Sequence, residues 1–142
     1  MKEILFDMLS HYGLSEIDGP LNNEHILEFF KEIGYDWVKD ENTSWCAACV
    51  NYFAKKNGYV GSGKLDARSF LKVGEAVDKP ETGDVIVLWR ESKSSWKGHV
   101  GLYISENEKF VYVLGGNQSG DQVNISMYSK TRVLGYRRLA KI

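Results

Sequence analysis

The stretch TSWCAACVNYFAKKNG, residues 43–58, holds both cysteines of the chain, and its reading decides the fold. A WCxxC sequence can be a redox-active dithiol turn. It can also open a helix whose first turn carries one reactive thiol. Trp45, Ala48, Cys49, Tyr52 and Phe53 follow the i, i+3, i+4, i+7, i+8 spacing of one helical face. Thr43 or Ser44 offers an N-cap just before them, and Asn57-Gly58 a stop. The spacing therefore predicts a helix over residues 44–57, with Cys46 in its first turn.

Outward from this helix the chain divides by composition. Residues 1–75 read as mostly helical. Residues 22–33 (NNEHILEFFKEI) place Ile26, Phe29, Phe30 and Ile33 at helical spacing before Gly34, and a further helix fits residues 64–74. Residues 83–139 read as mostly strands. DVIVLWR (84–90) is a continuous apolar run. In HVGLYIS (99–105) Val100, Leu102 and Ile104 take one face, and His99, Gly101 and Tyr103 the other. Residues 109–114 make a hairpin partner, GGNQSGD (115–121) reads as a loop, and 122–128 and 132–138 as two more strands. Helices followed by an antiparallel meander predict an α+β fold in one domain over residues 1–142.

Composition excludes several function classes. Of the 142 residues, 43% are hydrophobic and 26% charged, and the formal net charge is −1. No global basic field draws such a chain to nucleic acid. No apolar run reaches the length of a membrane span, and Asp7 interrupts the apolar stretch that a signal peptide needs. Three scattered histidines and a single CxxC leave no expected metal site, and no cofactor is implied.

A thioredoxin-like dithiol site needs a buried strand directly before the CxxC. Residues 36–44 are instead charged and polar. Cys49 lies on the core stripe, where a small buried residue is expected. Cys46 lies off it, at a helix N-terminus that stabilises a thiolate. His99, on the non-core face of its strand and flanked by Gly98 and Gly101, is placed for chemistry; the glycines would let another chain or a substrate approach the ring. A Cys–His pair is the minimal unit of thiol acyl transfer. Asn117, ending the next strand, could fix the imidazole tautomer.

The ordered set WCAACVNYF (45–53), PETGDVIVLWR (80–90), GHVGLYI (98–104) and VLGGNQSG (113–120) resembles the NlpC/P60 and CHAP superfamily of papain-like peptidoglycan hydrolases. GLSEIDGPLNNEHILEFF (13–30) extends the likeness, which covers roughly Gly13 to Arg137. The resemblance implies N-terminal helices packed on an antiparallel sheet of about five to six strands. It implies Cys46 as nucleophile, His99 as general base and Asn117 as the orienting residue. Gly115 stands where CHAP domains often carry a Glu. The oxyanion hole would use the Cys46 N–H and a second donor from among Asn42, Ser44 and Gln118. Asp36, Asp40 and Glu41 form no recognisable calcium loop.

Such an enzyme would cut an amide in the peptide part of peptidoglycan, as an N-acetylmuramoyl-L-alanine amidase or a D,L-endopeptidase. Trp45, Trp96, Gln118 and Ser44 are its expected substrate-binding residues. It would act as a monomer at the cell wall or periplasm, after export without a signal peptide or release on lysis. An immunity or targeting protein is a conceivable partner. A catalytically dead papain-like binding module is the alternative, with the dithiol oxidoreductase behind it.

Overall fold

The computed structural model describes residues 2–15, 24–35 and 45–142. Among the described residues three helices come first: α1 (Lys2–Leu9), α2 (Glu24–Glu32) and α3 (Cys46–Lys56). A 3-10 turn, Ala67–Lys72, leads into six strands: β1 (Glu75–Val77), β2 (Val85–Trp89), β3 (Gly98–Glu106), β4 (Phe110–Gln118), β5 (Gln122–Ser129) and β6 (Val133–Arg138). They form one antiparallel sheet in the order β1-β6-β2-β3-β4-β5. The architecture is α+β, as the change of hydrophobic period implied. Among the described residues no helix is long and apolar enough to cross a membrane.

Helix α3 is the centre of the molecule. Every residue from Cys46 to Ala54 except Tyr52 is buried. Ala47, Ala48 and Ala54 keep its surface low, so it packs between α2 on one side and β3 and β4 on the other. Phe29 of α2 meets Phe53 and Tyr52 with ring centres 5.5 and 4.8 Å apart. Burial of aromatic side chains of this size contributes roughly 1.5–3 kcal/mol each. Buried Asn51 turns away from the apolar contacts. Its Nδ2 donates to the Lys64 carbonyl at 2.9 Å, and its Oδ1 accepts from the Gly63 N–H at 2.9 Å, tying down the segment after the helix.

The sheet is buried on both faces near its middle. Val85, Val87, Val100, Leu102 and Leu114 join the helices in the main core. Ile86, Leu88, Tyr103, Val111 and Val113 form a second cluster on the other face, closed by Tyr128, Val133 and Tyr136. This explains why β2 reads as an unbroken apolar run. Asp84, ahead of β2, is 2% exposed. It accepts from Arg138 Nε and a terminal guanidinium nitrogen at 2.9 and 2.7 Å, and from the Glu81 N–H at 2.8 Å.

Two local expectations change, and one strand had no expectation at all. The segment 64–74 contributes only the 3-10 turn. β1 has no hydrophobic pattern and stands by pairing with β6. The expected loop at 115–121 begins as strand: β4 runs through Gln118, with a register shift between Gly115 and Gln118. Asn117 takes φ +58° in that irregularity, a conformation asparagine tolerates better than most residues.

The phenols of Tyr103 and Tyr128 are pushed up to about 12, chiefly by burial. An unfolded tyrosine titrates near pH ~10. The folded state holds these protons longer, so their contribution is complete below that pH and fades as the pH rises towards 12. The melting temperature is expected to fall over this range. The ultraviolet phenolate signal of both residues should rise together with loss of near-ultraviolet circular dichroism. Ionisation of Tyr103 or Tyr128 itself at pH 10 in folded protein, isolated by comparison with the Tyr103→Phe and Tyr128→Phe variants, would contradict it.

Candidate active site

Helix α3 starts on a residue held from another strand. Trp45, the N-cap residue, is fully buried with φ −118°. Its N–H donates to Asn117 Oδ1 at 3.1 Å, and its carbonyl accepts from the Cys49 N–H at 2.9 Å. Its ring lies 6.1 Å from Phe29 and directly under Gly116, where an added Cβ would sit 2.5 Å from the ring. The first turn, with Cys46 at its head, is thus fixed by β4. Cys46 is 2% exposed and lines a cavity of about 210 Å³ with Leu65, Ala67, Trp96 and Gly98.

His99, the second residue of β3, lines a neighbouring cavity of about 400 Å³. Arg90 lines both cavities. The imidazole is 5% exposed and packs against Tyr128 with ring centres 5.3 Å apart. Its Nε2 lies 2.9 Å from Gln118 Oε1. The Gln118 Nε2 group faces three acceptors: the Val113 carbonyl at 2.9 Å, the Asn124 carbonyl at 2.6 Å and Asn124 Oδ1 at 3.1 Å. Acceptors on that side fix the orientation of the amide, so the oxygen points at the imidazole. Histidine Nε2 must then carry the proton and donate it. In the neutral ring the lone pair is on Nδ1, which is the basic nitrogen.

This reassigns two expected site residues. Asn117 does not hold the imidazole: its Oδ1 caps Trp45, and its Nδ2 donates to Asp121 Oδ1 at 3.3 Å. Gln118 takes the orienting place. Because its amide N–H groups are committed inward, it is not the second oxyanion donor. Gly115 explains the exchange. A Cβ there would approach Gln118 Oε1 to 2.9 Å, so the absence of a side chain makes room for the glutamine.

Trp45, expected to line a groove, is sealed in the core and offers no side-chain surface to a substrate. Trp96 is 73% exposed at the Cys46 cavity, as a substrate contact requires. Gly98 and Gly101 do not open the imidazole to solvent. A Cβ on Gly98 would meet the Leu88 carbonyl at 2.9 Å, and one on Gly101 the Val113 side chain at 2.5 Å. They let the neighbouring strands close in. Ser44, Asn42, Asp36, Asp40 and Glu41 lie outside the described residues.

Both cysteines are free thiols. Cys49 is fully buried, and desolvation drives its thiol far above the ordinary range. A group so held is a poor nucleophile. Among the described residues no three His, Cys, Asp or Glu side chains gather as a metal site. Tyr128, Arg90 and Arg132 had no sequence signal: β5 and the ends of β2 and β6 bring them to His99. No protein-family model and no curated protein sequence matches the chain.

Proposed function

We propose that this chain is a papain-like cysteine hydrolase that cuts an amide bond in the peptide part of bacterial peptidoglycan. The observation that carries the reading is the locked imidazole. Gln118 commits His99 Nε2 as a donor and leaves Nδ1 as the base, in a cavity that shares Arg90 with the cavity lined by Cys46.

In the proposed reaction the Cys46 proton passes to His99 Nδ1, and the thiolate attacks the scissile carbonyl. An S–C bond forms, and the carbonyl electrons move to oxygen. The Cys46 N–H, in the first turn of the helix, would face that oxyanion. When the oxyanion collapses, the C–N bond breaks and His99 returns the proton to the departing amine. Water then attacks the thioester, giving its proton to Nδ1. Collapse releases the carboxylic acid and the thiolate, which recovers the proton. Throughout, Gln118 Oε1 accepts from Nε2 and stabilises the imidazolium.

The test is incubation of the protein with purified peptidoglycan, beside Cys46→Ala and Cys49→Ala, with mass spectrometry of released fragments. Cleavage should vanish in Cys46→Ala and survive in Cys49→Ala. The new amine terminus identifies the bond cut. Folded protein that releases nothing from several wall types, or cleavage that persists without Cys46, would sink the proposal.

A further inference from the structure

The cavity beyond His99 holds two guanidinium groups that have no counter-ion among the described residues. Arg90 follows β2 and Arg132 precedes β6. Leu88 and Val133 stand opposite each other, so pairing of these strands brings both arginines to one end of the sheet. Among the described residues neither forms an ion pair. Glu91, next to Arg90, is paired with Lys97 at 2.7 Å instead. Among the described residues Asp121 is the one carboxylate on the cavity wall, and it accepts from Asn117. Among the described residues of the wall two cations therefore face one anion, in a chain whose formal net charge is −1.

Arg132 is also pre-oriented. Its guanidinium carbon lies 5.3 Å from the Tyr128 ring centre and 5.9 Å from that of Trp89. Its Nε donates to the Trp89 carbonyl at 3.0 Å. One of the five N–H groups anchors the fork to the protein, and the planar terminal pair matches a carboxylate. Tyr128 packs on His99 as well, so Arg132 and the imidazole share one wall.

We propose that this cavity is a carboxylate-binding subsite for the leaving-amine side of the substrate, with Arg90 and Arg132 as its anion contacts. The inference rests on the hydrolase reading for its direction. The carbonyl carbon must meet Cys46, and the leaving nitrogen must meet His99. The cavity lined by Cys46 and Trp96 then takes the acyl side, and the cavity lined by His99 takes the segment that departs. A departing residue with a free carboxylate finds its counter-charge there; one whose carboxyl is an amide does not.

The test uses Cys46→Ala protein, which binds without turnover. The probe is the synthetic stem tetrapeptide L-Ala-γ-D-Glu-L-Lys-D-Ala, with its carboxyls free or all converted to carboxamides, titrated by calorimetry. The free acid is expected to bind at least about tenfold tighter, the worth of one charge-assisted contact. The preference should collapse in Arg132→Gln and shrink in Arg90→Gln; Arg90 is exposed, so that variant keeps its fold. Equal affinity for acid and amide, no binding of the acid, or a preference that survives loss of both guanidiniums would overturn the subsite. The wild-type protein separates this from the broader reading. Cleavage without acid preference keeps the hydrolase and removes the subsite. Acid-selective binding by a protein that cleaves nothing keeps the subsite and removes the hydrolase.

Discussion

Gln118→Leu is expected to lower the rate of cleavage about a thousandfold with little change in KM. Leucine keeps most of the volume but removes both ends of the amide. Nε2 of His99 loses its acceptor, so the tautomer with the lone pair on Nδ1 is no longer imposed. Loss of a correctly oriented tautomer is worth about three to four orders of magnitude in a related triad. The Val113 and Asn124 acceptors lose their donor in a buried place, at a cost of about 2–3 kcal/mol in stability. Nitrogen-15 NMR of the imidazole checks the cause directly. Nε2 should be the protonated nitrogen in wild type and a mixture in the variant. That readout holds whatever the substrate proves to be.

Asn117→Ala separates the two neighbours. It removes the acceptor for the Trp45 N–H and should cost about 1 kcal/mol, in the range of a lost helix cap. The imidazole spectrum should not change. If Asn117→Ala disturbs the tautomer and Gln118→Leu does not, the assignment of the orienting residue is reversed.

The second large effect is on folding. Gly116→Val is expected to destabilise the protein by about 3 kcal/mol or more, seen as a fall in melting temperature of about 10 °C. A Cβ at this position would stand 2.5 and 2.7 Å from two atoms of the Trp45 ring and 3.0 Å from the Cys49 Cβ. Both neighbours are fully buried, so neither can swing aside. The same clash pushes on the residue that starts α3, so any surviving folded protein should lose activity. Gly115→Ala makes the instructive contrast. There the obstacle is the far end of the Gln118 side chain, which can move. The fold should hold while the grip on His99 loosens. A Gly116→Val protein with unchanged melting temperature would show that the sheet and helix are less tightly apposed than this geometry requires.

Much of the scaffold was legible because each element wrote its environment into its period. The apolar stripe of α3 and the run of β2 were readable as core. The alternation of β3 separated His99 from Val100 and Leu102, but the face that His99 takes is buried as well. The third member of the site was not readable in the same way. Reading GGNQ as a loop gave no parity to its residues, and the irregularity after Gly115 breaks the alternation that would otherwise decide which side chain faces the imidazole. Asn117 and Gln118 are adjacent and chemically alike, so only the backbone path separates a helix cap from a histidine partner. The glycines carried a real signal with a different meaning: close approach of the chain to itself rather than of a substrate. Trp45 has the same lesson, since an aromatic beside a nucleophile can be a wedge under a strand. β1 left no trace at all, because three residues with no apolar pattern depend on β6 for their pairing.

The cap on Trp45 reaches across 72 positions of sequence. On a ribosome the helix-forming stretch emerges long before Asn117 and Gln118. At roughly 5–20 residues per second that interval lasts several seconds. During it Cys46 belongs to a helix with no fixed beginning, and His99 has no acceptor to settle its tautomer. The nascent chain therefore carries an ordinary cysteine. The setting that we propose makes it a nucleophile arrives late, when the hairpin of β4 and β5 docks. On that proposal, a cell making this protein is spared a competent nucleophile on an unfinished polypeptide.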